Sequence, residues 1–150
     1  SAVAFNGLAE VHLQHGNYEA ARAAGEKALA LAPGEWVAAY NLGMIEDRLG
    51  EAEAAVKHLE MALASKVPDI RHRLLIHFYL TRAYSRLGDF ESAQAQVALL
   101  RKNRSGLQEW QLILDNPQAE TLRAVLADDI ALARKLEAGD IDVYALEDAR

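Results

Sequence analysis

Gly16 and Gly50 lie 34 residues apart, as do Ala21 and Ala55, and Ala28 and Ala62. This fixed period constrains the fold more than composition does, because repeats of this length form stacked supersecondary units rather than one undivided core. Around each glycine the same pattern recurs: an apolar helical run, a turn, and a second helical run. The first copy reads Phe5-Asn6-Gly7-Leu8-Ala9, then His12, Gly16, Tyr18, Ala21, Ala28 and Pro33. The second reads Tyr40-Asn41-Leu42-Gly43, then Gly50, Ala55, Leu59, Ala62 and Pro68. A third, 38 residues on, carries Leu80-Thr81, Tyr84, Gly88, Phe90, Ala93 and Val97, with the four extra residues falling between Ser65 and Arg73.

The spacing has a physical logic. Small residues at Ala9, Gly43 and Thr81, facing Ala21, Ala55 and Ala93, let paired helices approach closely. Gly16, Gly50 and Gly88 supply the left-handed position that ends a first helix. Asn17, Glu51 and Asp89 follow as caps, Asp89 being the best suited. Helices are predicted near 2–15, 18–31, 35–49, 52–64, 70–87 and 90–103. Beyond a break at residues 103–106, Leu107–Leu114 reads as a short helix. Leu122, Val125, Leu126, Ile130, Ala133 and Leu136 mark one buried face of a helix that Gly139 closes.

Over residues 2 to 104 the pattern resembles the tetratricopeptide repeat family. Phe5, Ala39 and His77 replace its usual Trp, Ala52 its turn aromatic, and Ser105 the closing Pro of the third copy. The resemblance implies an all-α fold, a right-handed superhelical stack of helix-turn-helix repeats with a concave side and a C-terminal capping segment. Repeats are expected at 1–34, 35–69 and 70–104, a divergent fourth pair or capping helix at 105–138, and an acidic tail at 139–150. That tail is disordered, packed on the cap, or the lead into a following domain. Its acids Asp140, Asp142, Glu147 and Asp148 also suit it to lying in the concave groove.

The net charge of −6 is unevenly spread: −5 over residues 1–65, +5 over 66–104 and −6 over 105–150. Nucleic-acid binding wants a continuous positive footprint, so no nucleic-acid partner is expected. No stretch approaches the apolar length that spans a bilayer, and no leader is apparent, so the chain reads as cytosolic, already processed or an excerpt. There is no cysteine.

Chemistry is sparse. No phosphate loop, zinc pair or nucleophile motif is present. His12 and His77 stand where aromatics pack, His58 and His15 read as surface residues, and His72 is flanked by Arg71 and Arg73. Adjacent acids such as Asp128-Asp129 and Glu147-Asp148 diverge by about 100° on a helix, unlike an acid and base facing one substrate. Neither enzyme activity, a metal nor a cofactor is expected.

If first helices line the concave side, as the resemblance implies, the binding surface comprises Asn6 and Glu10, then Tyr40, Asn41, Met44 and Arg48, then Phe78, Tyr79, Arg82 and Arg86. Arg82 and Arg86, four apart on one helix face, suit a carboxylate. Tyr40, Met44, Phe78 and Tyr79 suit an apolar floor, or else interhelix packing. The expected partner is a protein or peptide of acidic character held in the groove. A self-assembling scaffold that forms homo-oligomers, or a regulatory part of a larger enzyme or transcription regulator, is the alternative.

Overall fold

The computed structural model describes residues 1–146. Every regular element among them is helical: α1 (Ala2–Gln14), α2 (Tyr18–Leu31), α3 (Trp36–Leu49), α4 (Ala52–Ala64), α5 (Ile70–Arg86), α6 (Phe90–Lys102), α7 (Ser105–Leu114), α8 (Glu120–Ala138) and a 3-10 turn, Val143–Leu146. The first six fall within two residues of the ranges expected from the repeat. They group into two compact units, Ser1–Pro68 and Asp69–Arg150.

In the first unit each helix packs on the next, α1 on α2, α2 on α3 and α3 on α4, and α1 also meets α3. Ala9, Ala21, Ala28, Ala55 and Ala62 are wholly buried, as the 34-residue period requires of its small positions. A Cβ placed on Gly43 would lie 2.4 Å from Leu59 Cδ2, so α3 and α4 approach to a distance that only glycine permits. Gly16 and Gly50 hold φ near +75°, where a side chain would be strained. The cap after Gly50 is not what the sequence suggests. Glu51 makes no capping bond and instead pairs with Arg22 of α2. That hydrogen bond holds the Glu51 carboxyl below its ordinary pKa.

In the second unit α5 packs on α6, α7 and α8, and α7 pairs with α8. Asp69 accepts from the His72 amide at 2.9 Å and Asp89 from the Ser92 amide at 3.1 Å, each capping its helix as an N-cap carboxylate should. Gly106, expected in a break, instead lies inside α7. Its missing side chain admits Leu74, whose Cδ1 would stand 2.8 Å from a Cβ there. Tyr79 donates a 2.5 Å hydrogen bond to Asp129, tying α5 to α8 through a buried pair.

The 3-10 turn Val143–Leu146 packs on α5 and α6. Val143 and Leu146 are buried, and the Tyr144 ring lies 4.3 Å from that of Phe90. Of the expected tail, Glu147 and Asp148 lie outside the described residues.

Candidate functional site

The ten residues expected to line a groove divide sharply by burial. Asn6 and Glu10 are carried by α1, and Tyr40, Asn41, Met44 and Arg48 by α3, all in the first unit. Phe78, Tyr79, Arg82 and Arg86 are carried by α5, in the second. Glu10 is exposed, Arg48 and Arg86 are half-buried, and the other seven are buried.

The apolar floor is therefore corrected to packing. Phe78 and Tyr79 are wholly enclosed and Tyr40 and Met44 nearly so, with Tyr40 tilted against Trp36 at 5.6 Å between ring centres. Interior aromatic positions on these helices are spent on helix contact, because a large ring gains most when fully removed from water. Arg82 is also no rim anchor: at 4% exposure its guanidinium lies over the Phe78 ring, 5.8 Å from the centre. That stacking uses the apolar face of the guanidinium.

Two amides remain of interest. Asn6 and Asn41 are 8% and 2% exposed. Asn6 Oδ1 and Asn41 Nδ2 each have no hydrogen-bond partner. A buried polar atom left unmatched costs about 1–3 kcal/mol, so two of them on neighbouring helices are an unusual expense for a core. Their types are complementary to a polypeptide backbone: one accepts and the other donates. Glu10, on the same helix as Asn6, has its carboxyl pKa raised by desolvation despite an exposed end. On α3, Arg48 Nη1 donates to the buried Asp47 carboxylate at 3.1 Å.

The sequence reading missed a second polar pair. His58, expected at the surface, is half-buried, with Nδ1 2.6 Å from Oε1 of buried Glu46 across the α3–α4 contact. Neither residue stands at a signature repeat position, so the spacing carried no signal for it. His77 behaves as a packing histidine, its Nδ1 2.7 Å from Gln96 Oε1. His72 lies 2.8 Å from Asp69 and edge-on to Trp110. Among the described residues, no group of three or more His, Asp or Glu side chains is arranged to hold a metal ion. No helix there is long and apolar enough to cross a membrane.

The family model for the tetratricopeptide repeat matches residues 12–76. No curated protein and no solved structure matches the chain. Repeats of this kind generally mediate protein–protein interaction and are typically non-enzymatic. Helix pairs turn at left-handed glycines and close on buried alanines through that stretch, so residues 12–76 are similar to tetratricopeptide repeats.

Proposed function

We propose that the chain is a non-enzymatic interaction module that takes a partner polypeptide against α1 and α3 of its first unit. The observation that supports this reading is the pair of buried, unmatched amide atoms, Asn6 Oδ1 and Asn41 Nδ2. A peptide backbone supplies an N–H for the first and a C=O for the second, so binding would satisfy groups that folding leaves unmatched. Glu10 and Arg48, exposed and half-buried on the same two helices, would then read the partner's side chains.

The test is a displayed random-peptide screen of the parent beside Asn41→Ala. The expected result is an enriched motif from the parent and no enrichment by Asn41→Ala. Equal enrichment by parent and Asn41→Ala would remove the amide contact from the reading.

A further inference from the structure

Residues 1–65 carry a net charge of −5, and three of their four lysine and arginine side chains are already engaged. Arg22 pairs with Glu51 and lies 3.7 Å from Glu19, and Arg48 meets Asp47 at 3.1 Å. The Lys27 ammonium stands over the Phe5 ring, 5.5 Å from its centre. None of them serves Glu10, and α1 itself holds no lysine or arginine. Among the described residues the Glu10 carboxylate has neither a hydrogen bond nor an ion pair, and desolvation raises its pKa. A carboxylate that has lost water without gaining a cation is a destabilised charge, which an incoming ammonium or guanidinium would relieve. Asn6 stands one helical turn before Glu10, 8% exposed, with Oδ1 unmatched. Both groups accept hydrogen bonds, so whatever docks on this face of α1 must bring donors.

Building on α1 and α3 as the peptide surface, we propose that the partner presents a lysine or arginine side chain to Glu10, so that the first unit prefers basic segments. The peptide N–H goes to Asn6 Oδ1, and the basic side chain beside it goes to the carboxylate one turn on. Gly7, three residues before Glu10, contributes no side chain, and nothing lies within 4 Å of where its Cβ would stand. The aliphatic stem of a lysine or arginine can lie there while its charged end reaches Glu10. The acidic balance of residues 1–65 adds steering, drawing a basic segment in from solution faster than a neutral one.

A displayed random-peptide screen of the full chain tests it, with Glu10→Gln and Glu53→Gln beside the parent. Glu53 is an exposed carboxylate on α4, so its replacement removes the same charge elsewhere in the unit. The parent and Glu53→Gln should enrich one motif with lysine or arginine at a fixed position. Glu10→Gln should enrich that motif with the position no longer basic. Fluorescence anisotropy with the parent's consensus peptide should show affinity reduced about 5–30-fold by Glu10→Gln and changed by less than about twofold by Glu53→Gln. Replacing the peptide's basic residue by norleucine should lose the same factor against the parent and nothing further against Glu10→Gln, as a direct contact requires. Three results would overturn the proposal while leaving peptide binding to α1 and α3 intact: a parent motif without a basic position, a basic position kept by Glu10→Gln, or equal losses with Glu10→Gln and Glu53→Gln. No enrichment by the parent would remove the peptide surface, and the proposal with it.

Discussion

Three helical glycines of the first unit offer a measurement of how tightly its helices are packed. Replacing glycine by alanine inside a helix gains about 0.8–1 kcal/mol in propensity wherever the methyl has room. At Gly7 on α1 nothing lies within 4 Å of the new Cβ, so Gly7→Ala should stabilise by about that amount. At Gly25 on α2 the Cβ would meet Leu42 Cδ2 at 3.0 Å, the end of a flexible side chain, and the gain and the contact should roughly cancel. At Gly43 it would stand 2.4 Å from Leu59 Cδ2 and 2.6 Å from its Cγ, with Leu59 wholly buried. Overpacking costs about 1–3 kcal/mol, and complete eviction of a leucine about 2–5. Subtracting the propensity gain, Gly43→Ala should lose about 0–4 kcal/mol. Urea unfolding at one temperature would therefore separate Gly7→Ala from Gly43→Ala by about 1–5 kcal/mol for the same chemical change. A cycle with Leu59→Ala sharpens the test. The space vacated by Leu59 accepts the new methyl, so the two losses should fall short of additive by about 1–3 kcal/mol. If Gly43→Ala is as stable as Gly7→Ala, or the cycle is additive, the close approach of α3 and α4 is wrong.

Other outcomes follow from single contacts. Tyr79→Phe withdraws a hydroxyl donor from the buried Asp129 carboxylate and should cost about 1–3 kcal/mol in urea unfolding. Burial alone would raise the Asp69 carboxyl, but hydrogen bonds from the His72 amide and ring, with the charges of His72 and Arg71, outweigh it and hold the group below its ordinary pKa. Hydrogen bonds from Ser92 lower Asp89 in the same direction. A carboxyl depressed in the fold stabilises above its unfolded pKa and loses that contribution as pH falls through its folded one. Urea midpoints should therefore drop below about pH 4, and the Asp69→Asn/Asp89→Asn double variant should show a flatter profile there. Asp89→Ala should lower the midpoint at neutral pH more than Asn17→Ala, whose side chain makes no capping bond.

What was legible in the sequence was whatever the repeat states at fixed spacing. The turn glycines, the buried alanines and the superior cap at Asp89 could each be read from one position recurring in three copies. Exposure on the first helices could not. Periodicity assigns a face only when one side of a helix meets water, yet α3 is buried through ten successive residues, Ala38–Asp47. Tyr40 and Met44 therefore pack where a ligand floor was expected, and Phe78 and Tyr79 on α5 do the same. The amides of Asn6 and Asn41 were named from the sequence, but that each holds an unmatched polar atom depends on neighbours far along the chain. Leu122 was assigned to a buried face by spacing alone and stands instead beside a groove. Gly106 looked like a chain break because glycine serves both turns and tight packing, and only the position of Leu74 distinguishes the two.

The packing of each helix of the first unit on the next has a kinetic side. Contacts between sequence neighbours close short loops, so little chain entropy is lost before burial begins to compensate. Folding dominated by such contacts occurs in microseconds to milliseconds. Nearest-neighbour coupling also localises damage, since each repeat interface contributes its own share of stability. An injury at Gly43 should therefore loosen the α3–α4 amides to hydrogen exchange before those of α1, giving the first unit a graded sequence of openings rather than a single one.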